Sequence, residues 1–174
     1  LRRSPGHGRP VGHGLVPPPA RCTCRCHHCR PSEGLPWLER SEVLSYEELA
    51  RLIGLLARLG VHDVRLTGGE PLVRRNIMWL VKALSRRLGK GLDDLTLTTN
   101  GSQLERHAAA LADCGIKRIN VSLDTLDAGK FRAITRYGDF AQVMRGIDAA
   151  TRAGLKIKIN TVALKGVNED ELPA

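Results

Sequence analysis

Aromatic residues are scarce in this chain: two Trp, two Tyr and two Phe make up 3% of it. Proteins that grip single-stranded nucleic acid stack bases on such rings, and here no aromatics are interleaved with the basic stretches. Long apolar runs are missing too. None approaches the roughly 20 residues that a membrane-spanning helix needs. The opening Leu1-Arg2-Arg3-Ser4-Pro5-Gly6 is basic but has no apolar segment behind it, which speaks against a secretory leader. Its first residue is Leu, so translation is expected to start elsewhere and the chain is read as partial. Acid is absent from residues 1–31, which hold Arg2, Arg3, Arg9, Arg21, Arg25 and Arg30. The other 21 basic residues face 18 acidic ones, so the net charge of +9 sits mostly in the head. A basic groove for a polymer does not follow, although a few Arg and Lys could hold a small anion such as a nucleotide.

What is present fits one soluble globular domain: 174 residues, 42% hydrophobic and 26% charged. Four of the five cysteines, Cys22, Cys24, Cys26 and Cys29, fall within eight residues. Disulfide scaffolds spread their cysteines, whereas so tight a cluster indicates metal binding in a reducing compartment. Cys114, beside Gly115 at a helix end, reads as a small core residue.

Residues 1–20 carry five Pro and four Gly with no period that would bury a face, so a disordered head is expected there. Pro17-Pro18-Pro19 removes three consecutive backbone donors, and the head is expected to add no strand. From Ser45 the pattern becomes regular. Ser45 and Glu48 form a capping box, followed by Leu49, Leu52, Ile53, Leu56 and Leu59 at helical spacing up to Gly60. A strand over Val64-Arg65-Leu66 then runs into Thr67-Gly68-Gly69-Glu70-Pro71. The same unit recurs three times. A helical stripe from Ile77 to Leu88 precedes the strand Leu95 to Thr98, and a helix from Leu104 to Cys114 precedes the strand Arg118 to Ser122. A stripe from Phe140 to Ala150 precedes the strand Lys156 to Val162. Alternating helices and strands predict an α/β fold with a parallel sheet. All four strands end in polar or glycine-rich turns, and ligands bind at the carboxyl ends of parallel strands. One shared mouth favours a partial (β/α) TIM-like barrel, incomplete at both ends, over residues 21–174.

The gaps of three and two between Cys22, Cys26 and Cys29 suit a 4Fe–4S cluster with one iron left open. Zinc is an equal reading of the loop by itself, since Cys24, His27 and His28 offer further ligands. Gly68-Gly69 by itself could be only a tight turn. Taken together, the triad and the Gly68-Gly69-Glu70-Pro71 loop resemble the radical S-adenosylmethionine (SAM) superfamily. Within it, Val64 to Arg74, Leu97-Thr98-Thr99-Asn100-Gly101, Ile119 to Leu126 and Lys158-Ile159-Asn160-Thr161 are similar to the GTP 3′,8-cyclase family of molybdenum-cofactor biosynthesis.

That resemblance implies that Cys22, Cys26 and Cys29 ligate the cluster, and that His28, Gly69 and Ser122 contact SAM. It implies that Arg65, Thr98 and Lys158 contact GTP. On residue type alone, Arg65 and Lys158 would pass as solvated strand ends, Ser122 as a turn residue and Thr98 as an ordinary strand residue. The implied reaction is electron transfer to SAM, hydrogen abstraction from the GTP ribose by a 5′-deoxyadenosyl radical, and closure of the ribose carbon onto guanine C8. The implied partners are an electron donor such as flavodoxin or ferredoxin, and a downstream cyclic pyranopterin monophosphate synthase. A cytoplasmic setting without membrane or nucleic acid goes with them, and a homodimer is compatible.

Three departures stand out. Leu15 lies about where the family places a substrate-binding arginine, His28 and Arg30 replace an aromatic and an apolar residue, and the second cluster's cysteines are missing. An inactive or partial form is therefore expected. The competing readings are a peptide-modifying radical SAM enzyme and a zinc-binding nucleic-acid module. The Thr98-Thr99-Asn100-Gly101 and Ser122-Leu123-Asp124 turns favour the cyclase.

Overall fold

The structure is a computed structural model that describes residues 13–16, 22, 24, 26 and 43–171. Five parallel strands form its sheet: β1 (His13–Val16), β2 (Asp63–Leu66), β3 (Asp94–Thr99), β4 (Arg118–Ser122) and β5 (Lys156–Asn160). Between them run helices α1 (Tyr46–Arg58), α2 (Ile77–Ser85), α3 (Leu104–Asp113), α4 (Ala128–Thr135) and α5 (Phe140–Arg152). No helix among the described residues is long and apolar enough to cross a membrane.

Local chemistry sets these elements. At α1 the Ser45 hydroxyl accepts from the Glu48 amide at 3.1 Å, and the Glu48 carboxylate accepts from the Ser45 amide at 2.7 Å. This reciprocal pair satisfies two of the donors that every helix start leaves over. Gly60, with φ at 95°, ends the helix in a conformation that side chains disfavour. The start of α1 is also tied to the segment after β2. The Arg74 guanidinium lies 4.1 Å over the Tyr46 ring and donates to the Leu44 carbonyl at 3.1 Å.

Strand order is β1-β2-β3-β4-β5, the same as chain order. A doubly wound sheet reverses direction at a switch point; this one never does. Connections of one hand then place all helices on one face, and the sheet curls as in a (β/α) barrel. The curl is not closed, since β1 and β5 are both edges. Alternation along the strands assigns the two faces. Val64, Leu66, Leu95, Leu97, Ile119 and Val121 are buried against Leu49, Ile53, Leu80, Leu84, Leu104 and Leu111 of the helices. The alternate positions Arg65, Thr96, Thr98, Asn120, Ser122 and Lys158 turn to the concave face.

Two expectations need correction, and one helix was not foreseen. The head does contribute a strand: β1 pairs in parallel with β2, Leu15 standing beside Arg65. The prolines begin only at Pro17, one residue beyond the strand, so the pairing of residues 13–16 needs no amide from them. The rest of the expected disordered head lies outside the described residues. Strand β5 stops at Asn160, short of Val162. Beyond it, the Thr161 hydroxyl donates to the Leu123 carbonyl at 2.8 Å and the Val162 amide to Asp124 at 2.9 Å. Helix α4 has no long apolar stripe to announce it; it rests on Phe131 and Ile134 and on the Asp127 carboxylate, which accepts from the Lys130 amide at 2.7 Å. Cys114 is half-buried and packs against the core, in keeping with a structural role.

Candidate active site

Four strand ends and the cysteine loop converge on one cavity. Its wall holds Cys22, Cys24 and Cys26 from the loop, Thr67 and Gly69 after β2, and Thr98, Thr99 and Asn100 at the end of β3. Ser122 and Asp124 from β4, with Asn160 and Thr161 from β5, complete the rim. The carboxyl end of the parallel sheet is thus where the polar side chains gather, as the turn chemistry predicts.

The glycine turn is shaped for close approach. Gly68 and Gly69 take φ values of 103° and 44°, in the left-handed region that favours glycine. Glu70 fixes this turn to its neighbour. Its side chain is fully buried; one oxygen accepts from the Leu72 amide at 3.0 Å and from the Thr99 hydroxyl at 2.8 Å. The other oxygen accepts from the Asn100 amide at 2.6 Å. Burial pushes the Glu70 carboxyl above the usual range, while the three donors pull the other way. Asn100 passes the connection on. Its side-chain nitrogen donates to the Cys24 sulfur at 3.6 Å, and its side-chain oxygen accepts from the Ser102 amide at 3.0 Å. Glycine turn, β3 turn and cysteine loop are therefore one hydrogen-bonded unit.

In the cysteine loop, the Cys22 thiol is pushed up, first by its hydrogen bond with Cys24 and then by burial. On the opposite rim the segment after β5 straps over the β4 turn. The Asn168 side chain donates to the Asp124 and Val162 carbonyls, and Glu171 accepts from the Thr125 hydroxyl at 2.6 Å and from the Leu126 amide at 2.8 Å.

Of the residues expected at the site, Cys22, Cys26, Gly69, Thr98 and Ser122 share the cavity wall. Arg65 and Lys158 are on the same face of the sheet but outside that wall, Arg65 half-buried and Lys158 exposed. Cys29 and His28 lie outside the described residues. Among the described residues no three His, Cys, Asp or Glu side chains meet as a metal group, as expected when one of three thiols is not among them. Cys24 entered the sequence reading only as an alternative zinc ligand, and Asn100, Asp124, Asn160 and Thr161 only as members of strand-end turns; none was given a role at the site.

The donor set fits a thiolate-ligated cluster. Two half-buried thiols, Cys22 and Cys26, line a cavity that also presents Gly69 and the hydroxyls of Thr67, Thr98 and Ser122. The sequence profile of the Radical SAM superfamily matches residues 16–174, and the chain belongs to that superfamily. Within it, the chain is 58% identical over 166 residues to a GTP 3′,8-cyclase of Rhizobium etli, covering 95% of this chain and 47% of that one. A GTP 3′,8-cyclase of Paracoccus denitrificans is 57% identical over 164 residues, covering 94% and 47%. The chain spans about half the length of the curated relatives it matches. Among solved structures, Streptococcus suis SuiB bound to S-adenosylmethionine superposes with a TM-score of 0.71 at 22% identity, covering 91% of this chain and 34% of that one. Methylornithine synthase superposes with a TM-score of 0.70 at 21% identity, covering 91% and 46%. At that identity these two likenesses concern the fold alone.

Proposed function

We propose that this chain is the SAM-binding part of a GTP 3′,8-cyclase of molybdenum-cofactor biosynthesis. The observation that carries the reading is the convergence of Cys22, Cys26, Gly69, Thr98 and Ser122 on one cavity at the strand ends. The identity to the cyclases over nearly the whole chain supports GTP as its substrate. Cys22, Cys26 and Cys29 would hold the cluster; His28, Gly69 and Ser122 would hold SAM. When bound, the pair supplies an electron and a carbon-centred oxidant that takes hydrogen from a substrate.

The chain's own residues bind and orient. Gly69 leaves room for the methionyl end of SAM, and Ser122 offers a hydroxyl from the facing strand. Arg65 and Lys158 supply two cations to a triphosphate, and Thr98 stands between them on the same face. A small electron carrier such as flavodoxin or ferredoxin, a downstream cyclic pyranopterin monophosphate synthase, a homodimer and a cytoplasmic setting belong to the same reading and rest on the resemblance.

The 174-residue chain by itself is expected to cleave SAM slowly without cyclising GTP. Its sheet is open, so substrate is gripped from one side, and position 15 is Leu where the resemblance expects an arginine. Misplacement by ~1 Å can lower a rate on the order of a hundredfold. The test is anaerobic reconstitution with iron and sulfide, followed by dithionite, SAM and GTP deuterated at the ribose 3′ carbon. A brown protein with one cluster per chain, and little deuterium in 5′-deoxyadenosine, is the expected result. Tight stoichiometric zinc without iron would end the cluster reading. Deuterium transfer near the rate of a full-length cyclase would end the claim of uncoupling.

A further inference from the structure

The concave face holds two polar atoms that folding does not account for. Thr96 is only 4% exposed, yet its hydroxyl has no hydrogen-bond partner, and the buried Nε of Arg65 has none either. The two residues stand side by side, since β2 and β3 pair Arg65 with Thr96. Among the described residues only one other buried side-chain atom is left in this state, Nη1 of Arg74, outside the sheet. A buried hydroxyl without a partner destabilises a fold, and valine would fill the same space without that penalty.

The surroundings say what the missing partner is. Two residues nearer the mouth, Thr98, Asn120 and Lys158 form one row in register across β3, β4 and β5. Two residues deeper, the Asp94 carboxylate is taken by Arg118 at 2.6 Å. Between these levels the Arg65 Nε–H can only donate, and the Thr96 hydroxyl can donate beside it. Two donors side by side, with the Lys158 ammonium on the same face, call for an anionic acceptor.

We propose that Thr96 is a further substrate-binding residue. With Arg65 it forms the floor on which the phosphate end of a nucleoside triphosphate rests, both groups donating to phosphate oxygens. This rests on reading the cavity as a GTP site.

The experiment uses the cluster-reconstituted chain, its Thr96→Val and Thr96→Ser variants, and calorimetric titration with GTP, guanosine and inorganic tripolyphosphate. Thermal melting without nucleotide is run beside it. Thr96→Val is expected to melt higher than the parent chain, and to bind GTP and tripolyphosphate about tenfold more weakly, as the loss of one charge-assisted bond implies. Guanosine binding stays unchanged, and Thr96→Ser keeps the parent affinity for all three. Parent-like affinity of Thr96→Val for GTP and tripolyphosphate overturns the proposal, leaving the hydroxyl a site for solvent. An equal loss for guanosine overturns the phosphate assignment. A parent chain that binds tripolyphosphate as tightly as GTP, and guanosine not at all, sinks the GTP reading and keeps the anion floor. One that binds none of these ligands sinks both.

Discussion

Glu70 shows how much one side chain can organise. Its carboxylate receives three donors from two turns and so joins the glycine turn to the end of β3. A carboxamide has a single acceptor oxygen. In Glu70→Gln either the Asn100 amide or the Leu72 and Thr99 pair therefore loses its acceptor and faces an NH₂ group instead. An unsatisfied buried donor costs about 1–3 kcal/mol, so the variant is expected to unfold at clearly lower urea, with weaker SAM binding from the loosened turn. An unchanged midpoint would mean that the two turns hold without it. The importance of Glu70 was legible as part of a motif, but what its carboxylate does was not. Its partners Thr99 and Asn100 lie 29 and 30 residues away, and only the register of β2 with β3 brings them near.

Elements with a local signal were readable, and those that depend on tertiary context were not. The capping box at Ser45, the stripe of α5 and the strand Arg118–Ser122 all stand where spacing put them, because each is decided by residues within a few positions. Strand β1 is the opposite case. His13-Gly14-Leu15-Val16 has little strand character beside three prolines, and its conformation comes from pairing with β2, some fifty residues on. An edge strand bonds on one side only, so alternate amides within 13–16 are expected to be protected from hydrogen exchange while the others exchange freely. Uniformly fast exchange across all four would remove β1 from the sheet.

At the scale of the whole molecule, the strap after β5 closes one side of the rim. Bonds from Thr125 and Leu126 hold the Glu171 carboxyl at about 2, and Lys130 adds its charge at 3.1 Å. Folding thus lowers this carboxyl from its ordinary 4.5, so its contribution is complete above that value and is lost as pH falls through about 2. Following the Thr125 and Leu126 amide signals down an acid titration should show the strap intact at pH 4 and released near pH 2. Release already at pH 4 would show that the carboxyl is not held. No local pattern forecasts a bond across 46 residues. The position of the cavity, by contrast, was legible, because parallel strands with polar turns present those turns at one end.

The agreement between strand order and chain order also governs how the molecule comes into being. Each strand pairs in parallel with the one made just before it, so a strand waits only for the helix and strand that follow it, fifty residues in the case of His13 and Asp63. Parallel pairing must close the loop through each intervening helix first, which is slower than forming a hairpin. As synthesis proceeds, every new strand and helix can be laid on a finished edge, in the manner of a wall built course by course. The sheet grows vectorially, and among the described residues the strap that meets the β4 turn seats after β5.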